Sequence, residues 1–210
     1  MTDCNGVLLS SGGMDSTVLA YDLARQGANL ILLFLDYGQH CMKKEYETLK
    51  RVAPKAFMKN ITLISIVDIF RESKSRMIVE ADLWFDEVAP SDLYLPYRNL
   101  LFLSIASAYA QSIGIRNVYA AFINSNHAKE IDCSIRFFTQ LEAMLEEYGS
   151  VKINIPYREM SKTQVANLGV ELGAPIAETF SCQVNSVNPC GVCPNCVDRI
   201  NAMRDLLEEV

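Results

Sequence analysis

The sequence predicts an α/β protein: a doubly wound parallel sheet of five strands, closed at its C-terminal end by a four-cysteine segment that binds zinc. Three observations carry this. A buried apolar run, Gly6 to Leu9, passes through Ser-Ser-Gly-Gly into an amphipathic segment, Asp15 to Gln26, a strand–turn–helix order. The next run, Asn29 to Asp36, is nearly all apolar, as befits a strand covered on both faces. Strand and helix patterns then alternate, which implies parallel pairing through right-handed crossovers. The 210 residues, half of them apolar, suffice for one real core. A net charge of −6 disfavours nucleic acid as a partner. No run reaches the length of a membrane span, and Met1 to Asn5 has no signal-peptide character, so a cytoplasmic location is expected.

The first turn carries the site. Glycines 12 and 13 remove the Cβ atoms that would hold a ligand off the backbone, and the first N–H groups of a helix have no partner within it. Strand, glycine turn and helix N-terminus together form an anion cradle, with Ser10, Ser11 and Ser16 adding hydroxyls. Neither G-x-x-x-x-G-K-[ST] nor G-x-G-x-x-G is present. Asp15 suits the positive helix end, as a capping acid or as an acid facing phosphate through Mg²⁺. Ser11-Gly12-Gly13-Met14-Asp15-Ser16 resembles the SGGxDS signature of the PP-loop ATP pyrophosphatases. That resemblance implies ATP cleavage between the α- and β-phosphates. It also implies an ATP-binding segment from Leu8 and Leu9 through Met14 to Thr17 and Val18.

Along the chain, Asp36 ends the second strand about twenty residues past the glycines, where an acid either reads a ribose or caps the next helix. Tyr37-Gly38-Gln39-His40 leads into a helix reaching about Ala53, stopped by Pro54, and Ile61 to Val67 reads as a third strand. Asp68 to Tyr97 is long and loop-like, a lid or a subunit contact. Leu95-Pro96-Tyr97-Arg98-Asn99 opens a strongly apolar helix to about Ile113. Arg98 stands near its N-terminus, where the dipole disfavours a cation, so it needs a carboxylate or an anionic substrate as partner. Val118 to Phe122 reads as the fourth strand. The polar loop Ile123 to Glu130 follows at the cleft edge of the sheet, then a helix from Asp132-Cys133-Ser134 to about Tyr148. Lys152 to Ile155 is the fifth strand, and Ser161 caps a helix that begins with Lys162. That lysine either neutralises departing pyrophosphate or stands in solvent.

Seven cysteines, an odd number, argue for reduced thiols and metal rather than a disulfide frame. Four of them, Cys182, Cys190, Cys193 and Cys196, fall within fifteen residues. Four thiolates give a tetrahedral, closed shell, so the ion is structural. Cys190, Cys193 and Cys196 also satisfy an iron–sulfur spacing, but Gly191 directly after a ligand favours Zn²⁺. Residues 1–178 are expected to form the ATP-binding domain and 179–210 the zinc segment with a C-terminal helix.

The glycine turn, Asp36-Tyr37-Gly38-Gln39, Pro96-Tyr97-Arg98-Asn99, Ser161-Lys162 and the Cys182–Cys196 cluster together resemble the 7-cyano-7-deazaguanine synthases, the QueC family, across about residues 6 to 203. The resemblance implies adenylation of the carboxylate of 7-carboxy-7-deazaguanine, attack by ammonia to the amide, and a second ATP-driven dehydration to the nitrile. It further implies zinc on the four cysteines, Mg²⁺ with ATP, and a homodimer. Ser11, Asp15, Ser16, Arg98 and Lys162 become catalytic candidates, and Tyr37, Gln39, Arg98, Asn99, Asp132 and Cys133 substrate-binding ones. The chain departs from the family at His40-Cys41, at Glu45, one place late, at Gln183, and within Ala128 to Phe137. Those departures keep two alternatives open: a ligase that stops at the amide or transfers the acid to another amine, such as one on a protein, and a catalytically dead nucleotide-binding module. Transfer of sulfur to tRNA, a third, is disfavoured by the acidic balance.

Overall fold

The computed structural model describes residues 4–82, 86, 89–123, 134–184 and 188–208. Five strands form one parallel sheet: β1 (Gly6–Leu9), β2 (Leu30–Asp36), β3 (Ile61–Ser65), β4 (Asn117–Tyr119) and β5 (Lys152–Asn154), in the order β3-β2-β1-β4-β5. Val7 pairs with Ile31 on one side and Val118 on the other, so β1 is the central strand. The order reverses between β1 and β4, and a crevice opens outside the carboxyl ends of the strands at such a point. The expected doubly wound architecture is the one observed.

Period-two alternation explains how both faces are covered. Leu8, Leu30, Leu32 and Phe34 point to one side and share a core with Val18, Leu19 and Leu23 of α1 (Met14–Arg25) and Leu49 of α2 (Met42–Val52). Val165 and Ala166 of α6 (Lys162–Glu171) complete that layer. Val7, Ile31, Leu33 and Leu35 point to the other side, against Ala106 and Ala110 of α4 (Arg98–Ser112). Phe138 and Leu141 of α5 (Ile135–Tyr148) cover Ile153 of β5 on a neighbouring core. Leu8, Leu30, Leu32 and Leu33 are wholly buried, each contributing roughly 1.5–3 kcal/mol of transfer free energy.

Several boundaries differ from expectation. The third strand stops at Ser65, which pairs with Asp36, the last residue of β2. With no partner strand left to extend along, the chain turns into α3 (Val67–Phe70). The stretch expected to be one long loop therefore begins as helix, and it holds a further 3-10 turn, Pro90–Leu93. It also supplies a small core of its own, Phe70, Met77 and Leu95 with Tyr37. The fourth strand covers Asn117–Tyr119, the length over which β1 and β5 offer partners. The fifth helix starts at Ile135, after Ser134, whose hydroxyl accepts from Phe137 N–H as its cap. Asp132, Cys133 and the polar loop from 124 onward lie outside the described residues.

Candidate active site

The glycine turn follows from local bonding. Gly12 has φ +76°, and a Cβ there would lie 2.7 Å from Glu45 O and 2.8 Å from Leu49 N, so only glycine lets β1 turn against α2. Thr17 Oγ1 and Ser16 Oγ donate to Gly13 O at 2.8 and 3.2 Å, and Ser16 Oγ accepts weakly from Ser11 N–H at 3.4 Å. Gly13 is the N-cap of α1 and brings no side-chain cap. The amides of the first turn are thus presented to whatever occupies the crevice.

That crevice is a cleft of about 320 Å³, within the size range of small-ligand sites. Leu9, Ser10, Ser11, Gly13, Met14, Asp15 and Ser16 line its floor. Leu8, Thr17 and Val18 turn into the core instead and hold the segment in place. Lys162, first residue of α6, reaches Asp15 with Nζ 2.6 and 2.8 Å from the two carboxylate oxygens. Each side chain stays about a quarter exposed, so the pair borders the cleft. Ser161 fixes the lysine's approach: its hydroxyl accepts from Gln164 N–H, and its own N–H donates to Gln164 Oε1. Two helix N-termini, α1 and α6, therefore meet at this end of the cleft with a lysine between them. A cation there is tolerated because Asp15 offsets it.

The other wall is built by the end of β2 and by α4. Asn99 is buried, Arg98 Nε donates to its Oδ1 at 3.4 Å, and both line the cleft. Tyr97, the N-cap of α4, is the one described non-glycine residue with positive φ, +58°. Tyr37 and Gln39 also face inward. The Gln39 side chain accepts from Tyr37 N–H at 2.9 Å and donates to Leu35 O at 3.2 Å and to Glu45 Oε2 at 3.0 Å. Burial pushes the Tyr37 hydroxyl above the ordinary tyrosine range, and Glu45 adds to the shift. Burial also pushes the Glu45 carboxyl up to about 7, against the pull of Gln39 and of the Arg98 guanidinium.

Asp36 is bonded at the carboxyl end of β2. Its Oδ1 accepts from Gly38 N–H at 3.1 Å and its Oδ2 from Ser65 Oγ at 3.3 Å, which ties the end of β2 to β3. It is not among the cleft-lining residues, and α2 begins too late for Asp36 to cap it.

The C-terminal segment forms the remaining wall. The Sγ atoms of Cys182, Cys190, Cys193 and Cys196 all lie within 4.8 Å of one another. A tetrahedral Zn²⁺ with Zn–S bonds near 2.3 Å needs sulfurs roughly 3.8 Å apart, and these four residues fit it. Backbone N–H groups of Val184 and Cys190 donate to Cys182 Sγ, and Cys193 N–H donates to Cys190 Sγ, each at 3.3 Å. Such donors suit sulfurs that carry negative charge. Cys41 packs beside the cluster, its thiol pushed up to about 12 by burial and by Glu45. From this segment Phe180, Ser181, Gln183, Asn195 and Asp198 reach the cleft. Arg199 of α7 (Pro194–Glu208) donates to Ile176 O at 2.6 Å and docks the helix beside α6.

The sequence motifs single out neither Asn195 nor Asp198, and they mark Glu45 only as a displaced acid. The signal for Glu45 was its place six residues after Gln39, which brings it round the start of α2 to the amide of Gln39. The inward reach of Asn195 and Asp198 depends on how α7 docks, which no local pattern records.

Comparison with known proteins agrees with this architecture. The chain resembles 7-cyano-7-deazaguanine synthases of Methanoregula boonei, at 32% identity over 95% of this chain and 94% of the relative, and of a Sulfurihydrogenibium species, at 32% over 98% and 96%. Among solved structures, a 4-thiouridine synthetase in complex with RNA and with ATP bound shares the fold at TM-score 0.54 and 17% identity, over 98% of this chain and 50% of that one. A predicted subunit of a tRNA methyltransferase from Methanocaldococcus jannaschii does so at 0.52 and 18%, over 80% and 75%. The sequence model described as "Queuosine biosynthesis protein QueC" matches residues 5–207. That match spans nearly the whole chain, including the glycine turn, the paired lysine and aspartate and the four-cysteine wall, and the chain belongs to the QueC family.

Proposed function

We propose that the protein activates the carboxylate of 7-carboxy-7-deazaguanine with ATP, joins it to ammonia as the amide, and dehydrates the amide to the nitrile in a second ATP-dependent round. The observation that carries this reading is the facing pair of anion sites in one cleft. The uncapped N-terminus of α1 with Asp15 and Lys162 lies at one wall, and Arg98 at the other. A carboxylate is a poor electrophile until one oxygen becomes a good leaving group, and AMP is one. No covalent enzyme nucleophile is needed, so the protein's contribution is positioning and charge stabilisation. The first-turn amides and Lys162 hold the β- and γ-phosphates as they depart, and Arg98 holds the substrate acid or the α-phosphate. Asp15 is the residue that would hold Mg²⁺ at the phosphate end. The four cysteines would hold zinc, whose closed thiolate shell supplies no open coordination position and serves to fasten the wall that carries Asn195 and Asp198.

The direct test is incubation with 7-carboxy-7-deazaguanine, ATP, Mg²⁺ and ammonium, followed by mass spectrometry. The expected products are the nitrile, AMP and pyrophosphate. Pyrophosphate release with accumulation of the amide would confine the enzyme to the first round. Absence of pyrophosphate would overturn the reading.

A further inference from the structure

We propose that Glu45 is the proton acceptor of the amine-transfer step, its carboxylate taking the proton from the nitrogen that attacks the activated acid. This rests on the carboxylate-activating reading of the cleft.

The argument is first geometric. Glu45 lies in the first turn of α2 and borders the cleft that Arg98 also lines. Among the described residues its hydrogen-bond donor is Gln39 Nε2. The Gln39 amide is locked in turn by the backbone of Tyr37 and Leu35, so its orientation is not free to vary. One carboxylate oxygen is thereby held, and among the described residues no hydrogen bond engages the other. Asp15 is engaged by Lys162 and Asp36 by Gly38 and Ser65, and Asp198, which also lines the cleft, stands on α7 at the cysteine wall. His40, the other proton carrier close by, turns its ring to Arg76 O and the Cys41 thiol, and it is not a cleft-lining residue.

Chemistry then assigns the role. An attacking amine must lose a proton as the C–N bond forms. The C–O bond to the phosphate breaks at the same centre, and its electron pair leaves on AMP. Ammonium first gives one proton to solvent and becomes the nucleophile ammonia, and a carboxylate set beside the acyl site accepts the second as the bond forms. The groups facing Glu45 are Arg98 from α4, which favours its ionised form, and Tyr37, Gln39 and Cys41 from the turn after β2. Burial outweighs Arg98 and sets the carboxyl at about 7, close to the best value for a base at neutral pH.

The test separates the two half-reactions in Glu45→Gln, which keeps the side chain's size. Isotope exchange between ATP and pyrophosphate, driven by 7-carboxy-7-deazaguanine, reports activation. Amide formation from ammonium reports transfer. Exchange is expected to stay close to wild type, whereas amide formation falls by about 100-fold or more. Hydroxylamine, uncharged at neutral pH, is expected to restore much of the transfer as hydroxamate. Unchanged amide formation, or a parallel loss of exchange and transfer, overturns the assignment while the site reading stands on the wild-type exchange. Absence of exchange in the wild type removes the site reading and this role together.

Discussion

At the scale of single residues, the cleft is defined by charges that would be unfavourable elsewhere. Lys162 begins one helix and Arg98 another, each at the end where the dipole repels a cation. Asp15 holds the lysine in place, and on the proposed reading phosphate entering between the two helix ends recovers the cost. Lys162→Ala is therefore expected to lower the rate of pyrophosphate release on the order of 100-fold, with the acid's own KM little changed; steady-state kinetics in both substrates check this. A rise in that KM with an unaltered rate would place Lys162 outside the phosphate end. Glu45 has the opposite signature. Its carboxyl is raised from 4.5 to about 7, so the fold favours the protonated form. The associated stability is fully present below pH 4.5 and is lost as the pH rises through 7. Glu45→Gln, which cannot ionise, should gain on the wild type between pH 5 and pH 8 in urea-denaturation midpoints. An equal difference at both values would mean that the acid ionises freely.

At the scale of elements, two short devices aim the functional groups. Gly12 brings the first turn under α2, and an alanine there must push against the α2 backbone at Glu45 and Leu49 in a left-handed conformation. Gly12→Ala is expected to lower both the thermal midpoint and ATP affinity, measured by calorimetric titration. A variant with wild-type affinity would show that the cradle does not depend on that approach. The second device is the capping box of Ser161 and Gln164. Ser161→Ala should cost about 1 kcal/mol of stability, and the frayed first turn should weaken pyrophosphate release beyond what that loss alone accounts for. The amide and hydroxyl bonds at these two helix starts show why the motifs were so legible. Capping and glycine turns are written within four or five residues, so their spacing survives any tertiary arrangement.

At the scale of the whole molecule, the switch of strand order between β1 and β4 opens the cleft, and the C-terminal segment closes one side of it. α7 is tied down by Arg199, by the cysteine cluster and by Ala202, which enters the core shared with α6. Removing metal with a chelator, or replacing Cys193 by Ser, is therefore expected to loosen residues 179–208 while the sheet remains folded. Hydrogen exchange should show lost protection confined to that segment, with a matching rise in KM for the acid substrate. Protection lost uniformly would argue that the cluster and the sheet unfold as one unit. Among the described residues no helix is long and apolar enough to cross a membrane.

The sequence by itself determined the class of fold, the glycine turn, the capped helix starts and the four-cysteine set. Each is a local pattern: the period of apolar residues, a left-handed turn, or sulfurs a few residues apart. Tertiary structure alone decided the partners. Asp15 and Lys162 are 147 residues apart in the chain, so the question of whether the lysine faces solvent or the cleft had no local answer. Asp36 carried the same ambiguity, and its partner Ser65 comes from the neighbouring strand, 29 residues on. Glu45 read as a displaced family acid until packing put it beside Gln39 and Arg98, and removed it from water far enough to change its chemistry. Desolvation and long-range pairing depend on what the fold brings near a residue, and that is a property of the topology rather than of the segment.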